Sequence, residues 1–309
     1  MIIDLPQTTT SVVAKRLVKL RDEGGVTALS RVLTLVVLTD TDGVEDAVAA
    51  ANDASREHPC RIIVVAAPQD DSSTGLDAEI RVGGDAGASE VVILRPSAAI
   101  ADHVDTLVIP LLLSDAPIVA WWTGEVPDAV AEHPIGRMAQ SRITDTLNTA
   151  DPRGTLERLR ENHHAADTDL AWTRTTIWRG LLAATLELPP YEPVRSAVVE
   201  GDADHPSLDL LAGWLAQFLR CPVEVVRVPD AQAVTRVVLS RRSGDIVIAR
   251  PSGATATLDQ PGQPTHRISL PVRPLRECLA EELRRLDPDV IYGEVLTKGL
   301  ARLEGWEDR

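Results

Sequence analysis

Phenylalanine is nearly absent from this 309-residue chain, which holds one Phe, two Tyr and two Met against six Trp. A core so short of ordinary large side chains must be built from Leu, Val, Ile and Ala. Trp beside Arg is the composition that desolvated protein-binding patches favour. Lysine is also scarce: Lys15, Lys19 and Lys298 are the three, and the remaining cations are Arg. A formal net charge of -15 excludes a phosphate-backbone partner, because nucleic-acid binding rests on cationic neutralisation. Anionic membrane surfaces are excluded on the same ground.

Cys60, Cys221 and Cys278 are odd in number, far apart and outside any C-x-x-C pair, so neither a zinc ribbon nor a local redox motif is available. Reduced thiols in the cytoplasm are expected. Met1 to Leu20 mixes Lys15, Arg16 and Lys19 with apolar residues and lacks a continuous apolar h-region, which is not how a signal peptide reads. The longest apolar neighbourhood, Val104 to Trp122, is broken by Asp105, Pro110 and Asp115, so no membrane span is expected.

What is present reads as an α/β protein in two parts. Val13, Leu17 and Leu20 recur at helical spacing behind Thr8 to Thr10, giving an opening helix that stops at Gly24-Gly25. The β-branched run Val32 to Leu38 predicts a strand buried on both faces. A helix from Val44 to Arg56, capped by Asp42, leads to a second such strand at Cys60 to Ala66. That is one βαβ unit with parallel strands. Ala78 to Val82 and Val91 to Leu94 predict a hairpin around Gly83-Gly84-Asp-Ala-Gly87. Ser97 opens a helix through Leu107, and Pro117 to Trp122 is a further buried strand with Trp121 and Trp122 at the sheet's rim.

Arg153 to His163 reads as an exposed helix, and the tract Glu161 to Asp169 separates an N-terminal α/β domain, 1–166, from a C-terminal α+β domain, 167–309. The first carries a mostly parallel, Rossmann-like sheet with helices. In the second, Val194 to Val199, a helix from Leu208 to Leu219 behind Ser207, and Val223 to Val228 form another βαβ-like unit. Val234 to Leu239, Asp245 to Ala249, Thr255 to Leu258 and His266 to Leu270, separated by Gly- and Pro-containing turns, predict an antiparallel meander. A closing helix with Leu275, Leu279, Leu283 and Leu286 on one face is expected to pack on a sheet.

Chemistry-bearing motifs are few. The strand ending in Asp40-Thr-Asp42-Gly43 resembles the first motif of haloacid-dehalogenase-type phosphatases, in which the first Asp is the nucleophile and the second an acid/base. Such a Mg²⁺-dependent phosphatase, using Asp40 and Asp42, is the enzymatic alternative. It also needs a lysine followed by an acidic pair, because an attacking carboxylate must be screened from phosphate. Only one lysine, Lys298, lies downstream, and the only acids after it are Glu304, Glu307 and Asp308. The other account of these carboxylates is an acidic cap and first turn, with Glu45 and Asp46 favoured by the helix dipole. Four acids and one glycine likewise repel the pyrophosphate of a dinucleotide. The Gly83 to Gly87 cluster leads into a strand, so the helix of a phosphate loop is missing.

Adjacent His163 and His164 would diverge by about 100° on a helix and have no third ligand at metal spacing. Asp102-His103 is the first acid/base pair to check; there is no G-x-S-x-G elbow. No cofactor and no metal are therefore expected. A small-molecule sensor using a cleft near Trp121-Trp122 is a further alternative.

The run Asp167 to Arg179 is the recognition candidate. As one helix to Leu186 it would align Leu170, Ile177, Trp178 and Leu181 on an apolar face with Arg174 in their midst, requiring Asp167 or Asp169 as partner. Alternatively the helix starts at Thr175 or Thr176. Trp172 and Arg179 would share the opposite face as an exposed anchor. Trp121, Trp122, Trp172, Arg174 and Arg179 are thus the partner-binding candidates, with Trp178 in the core.

The chain as a whole resembles the glucose-6-phosphate dehydrogenase assembly protein family, OpcA. The resemblance rests on Arg31 to Val37, His58 to Ile63, Gly84 to Glu90, Val108 to Leu113, Ala116 to Trp122, and Asp167 to Trp172 through Trp178-Arg179, in that order and spacing. It looks closest to the actinobacterial branch. It implies a non-catalytic partner that binds glucose-6-phosphate dehydrogenase, promotes its active oligomer as an allosteric activator, and raises NADPH output of the oxidative pentose phosphate pathway. Photosynthetic members are associated with thioredoxin-linked control, which would need exposed or low-pKa thiols. The apolar settings of Cys60 and Cys278 and the placing of Cys221 before Pro222 read instead as inert thiols.

Overall fold

The computed structural model describes residues 1–24, 32–68, 75–83 and 90–306. The stop at Gly25, the turn at 84–87, the matched residue Arg31, most of the matched stretch 84–90, and Glu307 and Asp308 lie outside the described residues. The chain divides into two compact units that interleave in sequence. The first comprises 1–149, 166–168 and 275–288, and the second 150–165, 169–274 and 289–309.

In the first unit an eight-stranded sheet is assembled from β1 Ile2–Thr8, β2 Leu33–Thr39, β3 Cys60–Ala66, β4 Leu76–Arg81, β5 Glu90–Pro96, β6 Ile118–Trp122, β7 Ser141–Thr144 and β8 Asp167–Asp169. Their order is β1-β4-β5-β3-β2-β6-β7-β8. The run β5-β3-β2-β6-β7 is parallel, as expected from strands that read as unbroken apolar runs. The β4–β5 pair is antiparallel, as the hairpin reading requires. β1 was not expected: it adds antiparallel to β4 as an edge strand with alternating half-exposed residues and a bulge between Leu5 and Thr8. Pro6 hides it in the sequence, since proline is tolerated only at such edges.

At the centre, Arg61 of β3 and Glu90 of β5 are register partners and pair in the interior, with 2.8 Å between Nη2 and Oε2. Arg61 Nη1 also donates to the Leu111 carbonyl at 2.5 Å. The opening helix, Thr10–Gly24, buries Val13, Leu17 and Leu20 as its spacing predicts. The helix Val44–Ser55 buries Val44, Ala47, Val48 and Ala51. Its cap is Gly43 rather than Asp42: Asp40 Oδ1 accepts the Gly43 N–H at 2.6 Å, closing the turn one residue later. The helix expected from Ser97 to Leu107 is broken into Ala98–Ala101 and Val104–Val108, and Ser97 Oγ accepts Gly75 N–H instead of capping it.

The closing helix, Leu275–Arg284, buries Cys278, Leu279 and Leu283. It belongs to the first unit and packs on the helix Val44–Ser55, not on a sheet. Its wet face of Glu and Arg matches the sequence; its neighbour could not be read there.

The second unit holds β9 Ser196–Asp202, β10 Val223–Val228, β11 Val234–Ser240, β12 Ile246–Ala249, β13 Thr255–Asp259 and β14 His266–Ser269, in the order β10-β9-β11-β12-β13-β14. β9 and β10 are parallel across the helix Pro206–Leu219, and the rest form the predicted meander. The cap of that helix is His205, whose Nδ1 accepts Ser207 N–H at 3.3 Å, rather than Ser207. Near its middle the helix meets the turn Val295–Gly299 so closely that a Cβ on Gly299 would lie 2.6 Å from the Gly213 carbonyl oxygen. Pro152–Glu161 is helical as expected but buries Leu156 and Leu159.

Candidate functional site

The segment 167–186 is not one helix. Asp167 belongs to β8 and receives Arg142 Nε, and Asp169 caps a short helix, Leu170–Thr173, by accepting Ala171 N–H at 2.8 Å. A second helix, Thr176–Leu186, follows. The Thr175 hydroxyl donates back to the Trp172 carbonyl at 2.7 Å, a local bond that competes with helix continuation at this joint. The later start weighed from sequence is therefore the one adopted, and the second helix buries Trp178, Leu182 and Thr185, while Ile177 and Leu181 are half-buried.

This joint turns Trp172 inward. Its side chain is 1% exposed, and its indole N–H donates to Asp289 Oδ2 at 2.8 Å. The other Asp289 oxygen caps the helix Val290–Glu294 by accepting Tyr292 N–H at 2.9 Å. The Tyr292 ring stands 6.0 Å from Trp172 on one side and 5.9 Å from His163 on the other. Arg179 lies over Trp172, its guanidinium carbon 3.5 Å from the ring centroid, with Nε donating to the Thr175 hydroxyl at 2.9 Å. Trp172 and Arg179 are paired as the sequence suggested, but as a packed stack: the exposed anchor is corrected, because the break at 174–175 rotates the first turn away from the face projected for a continuous helix.

Trp121 and Trp122 are also interior, at 0% and 2% exposure. They end β6, with Trp122 in edge contact with His133 at 5.5 Å. His133 is held below the usual imidazole range by burial, partly offset by Asp105. A cleft at the sheet's rim would have to open over these rings, since both are already covered. Arg174 is half-buried and lines a cavity of the second unit; Asp167, one of the partners expected for it, holds Arg142.

Asp40 and Asp42 are exposed at the C-terminal end of β2, with Asp40 occupied by the Gly43 N–H. A Cβ at Gly43 would lie 2.6 Å from Thr39 Oγ1 and 2.7 Å from Asp40 Oδ1, so a side chain there would displace the groups that close the turn. Asp102 and His103 are exposed in the break between two short helices. His163 and His164 follow the end of the helix Pro152–Glu161, and His164 Nδ1 lies 2.9 Å from the Asn162 carbonyl. No group of three or more His, Cys, Asp or Glu able to hold a metal occurs among the described residues. No described helix is long and apolar enough to cross a membrane. Cys60 and Cys278 are buried, and burial raises the thiol pKa of half-buried Cys221.

Sequence reasoning missed a cleft of about 480 Å³ in the second unit, lined in part by Asp151, Arg153, Asp204, Asp209, Arg227 and Trp306. Arg153 lies 4.6 Å over the Trp306 ring, whose indole N–H donates to Glu157 at 2.8 Å. Asp209 pairs with Arg227 at 2.6 Å, and burial pushes its carboxyl upward against that pairing. No sequence signal points to Trp306, since nothing near it forms a periodic element.

Fold and site together define a class: a two-unit protein joining a mostly parallel α/β sheet to an α+β meander, whose most elaborate cluster is a packed aromatic–arginine stack. Residues 51–161 match the family model described as the glucose-6-phosphate dehydrogenase subunit N-terminal domain, and residues 165–296 match that of the subunit's C-terminal domain. The chain belongs to the OpcA glucose-6-phosphate dehydrogenase assembly family. Two curated relatives, each named "Putative OxPP cycle protein OpcA", are similar. That from Synechococcus elongatus is 25% identical over 185 residues, covering 55% of this chain and 41% of the relative. That from Nostoc punctiforme is 24% identical over 204 residues, covering 60% and 44%. The match therefore spans less than half the length of these relatives. An oxidoreductase from Sinorhizobium meliloti superposes with a TM-score of 0.43 at 11% identity, over 88% of this chain and 96% of that one; so loose a likeness carries no argument.

Proposed function

We propose that this chain is a non-catalytic assembly factor and allosteric activator of glucose-6-phosphate dehydrogenase, acting in the cytoplasm to raise NADPH output of the oxidative pentose phosphate pathway. The observation that carries this reading is that both halves match domains described as parts of a glucose-6-phosphate dehydrogenase subunit, in order along the chain. To activate, the chain must bind one conformation or assembly of the enzyme more tightly than another, since equal affinity shifts no equilibrium. A differential of about 2–3 kcal/mol shifts the ratio roughly 30- to 150-fold, within ordinary allosteric coupling.

Among the partner-binding candidates, half-buried Arg179 is the side chain offered to the enzyme, and Trp172 is the platform that holds it. The indoles of Trp121 and Trp122 support the first unit from within. The test is to measure dehydrogenase activity and oligomer size with and without the full chain. Higher activity together with a larger enzyme assembly is the expected result; no change in either would falsify the activator role.

A further inference from the structure

In a chain with a net charge of -15, one cavity of the second unit collects three arginines and, among the described residues, no acid. Its volume is about 20 Å³, and its polar lining comes from Arg174, Arg250, Arg273, His205, Ser207 and Thr175, with Trp178 as an apolar wall. These residues arrive from well-separated stretches of sequence: the joint at 174–175, the start of the helix Pro206–Leu219, the end of β12, and the segment after β14. A site holding one water needs roughly 10–15 Å³, so the cavity admits one compact group and not a whole metabolite.

Arg250 is the telling residue. It is 3% exposed, and its two terminal nitrogens donate only to backbone carbonyls: Nη2 to Val234 at 2.5 Å and Gln232 at 3.1 Å, Nη1 to Leu270 at 3.3 Å. Its Nε is buried with no acceptor, and its carbon Cζ lies 5.4 Å from the Trp178 ring centroid. Among the described residues no carboxylate partners it. A buried guanidinium is expensive without a counter-charge, and carbonyl dipoles supply only part of one. Burial lowers its pKa with no acid raising it, in agreement with that isolation.

The neighbours extend the same field. Arg273 Nη1 is fixed by the Thr173 carbonyl at 2.7 Å, and half-buried Arg174 faces the cavity beside it. The N-terminal end of a fourteen-residue helix adds its positive dipole end. His205 is pushed down to about 4 by burial and by Arg174 and Arg250, against Asp202, so the ring is neutral near pH 7. Because its Nδ1 accepts Ser207 N–H, the ring proton sits on Nε2, leaving His205 a donor.

We propose that this cavity binds an oxyanion of phosphate size, with Arg250 as the buried counter-charge, Arg174 and Arg273 as the clamping cations, and His205 Nε2 as a neutral donor. The cavity receives the anionic head and leaves any remaining part of the ligand outside. Binding belongs to the second unit alone and does not depend on the dehydrogenase.

The test uses the full chain and calorimetric titration at constant ionic strength with sodium phosphate, glycerol 3-phosphate and sodium chloride. Saturable binding of phosphate or glycerol 3-phosphate, absent with chloride, is expected. Tighter binding of glycerol 3-phosphate identifies a phosphorylated metabolite as the source; binding of phosphate alone identifies the free ion. Arg174→Gln and Arg273→Gln should each weaken binding about tenfold, the loss of roughly one charge-assisted hydrogen bond. Arg250→Gln can fail to fold, so a second readout uses the unaltered protein: the His205 ring titration, followed by NMR, moves upward when phosphate saturates the site. Equal behaviour of phosphate, glycerol 3-phosphate and chloride overturns the proposal. So does binding unaltered in the Arg174→Gln, Arg273→Gln double variant.

Discussion

The guanidinium of Arg179 and the indole of Trp172 are stacked with 3.5 Å between carbon and ring centroid, while Asp289 accepts the indole N–H at the ring edge. One aromatic side chain thus joins the joint at 174–175 to the cap of the helix Val290–Glu294. Trp172→Ala should cost about 3–5 kcal/mol, the range for a large buried aromatic. Trp172→Phe keeps most of the volume and loses one hydrogen bond, about 1 kcal/mol. Arg179→Ala should lose about 0.5–2 kcal/mol through the missing cation–π contact. Urea unfolding of the three variants checks the order. If Trp172→Ala unfolds at the wild-type midpoint and only loses the dehydrogenase, the ring is a surface anchor after all.

The Arg61–Glu90 pair gives a sharper test of the first unit. Both side chains are interior, so Glu90→Gln leaves a buried cation and should cost about 3–5 kcal/mol. Replacing both, Arg61→Met with Glu90→Leu, should recover most of that loss. A double variant as unstable as the single one would mean that the Arg61 bond to the Leu111 carbonyl dominates.

His205 predicts a pH dependence. Unfolded, its ring takes a proton near the ordinary 6.5; folded, only near 4. Between those values the unfolded chain holds more protons. Stability is therefore complete above about pH 6.5 and falls as the pH drops toward 4, by on the order of 3 kcal/mol from this group. Asp202 opposes the shift, and Arg174 and Arg250 drive it together with burial. His205→Asn retains an N-cap side chain, and its stability measured from pH 7.5 to 4.5 should slope less steeply than wild type.

The thiols predict little redox response. Cys60 and Cys278 are inaccessible, and burial disfavours the Cys221 thiolate. A native-state titration with a disulfide reagent should label Cys221 slowly and the other two only after unfolding. Rapid modification of two or more thiols in the folded protein would contradict these positions.

Asp42→Asn should leave stability within about 0.5 kcal/mol, since the side chain is exposed and Gly43 holds the cap. Asp40→Asn should cost about 1 kcal/mol by weakening the bond to the Gly43 N–H. Neither should change phosphate release from a phosphomonoester in the presence of Mg²⁺. Release that Asp40→Asn abolishes would restore the phosphatase.

Strands β2, β3 and β5 were legible because a strand buried on both faces leaves an unbroken apolar run, and β11 to β14 because glycine and proline turns punctuate them. β1 was illegible, for an edge strand with Pro6 has neither pattern. The joint at 174–175 escaped periodicity because a threonine hydroxyl, not an apolar spacing, decides it. The stack of Trp172 and Arg179 was visible as a pair and invisible as a burial. Arg174, His205, Arg250 and Arg273 had no common signal at all: their meeting depends on how the meander returns to the start of the helix Pro206–Leu219.

The helix Leu275–Arg284 completes the first unit after more than a hundred residues of the second have been made. During synthesis the helix Val44–Ser55 leaves the ribosome long before the helix that packs on it exists. A chain halted at residue 166 would lack the packing of Leu275–Arg284 on that helix and should collect on chaperones or aggregate. The order of translation thus makes the first half wait for the last helix.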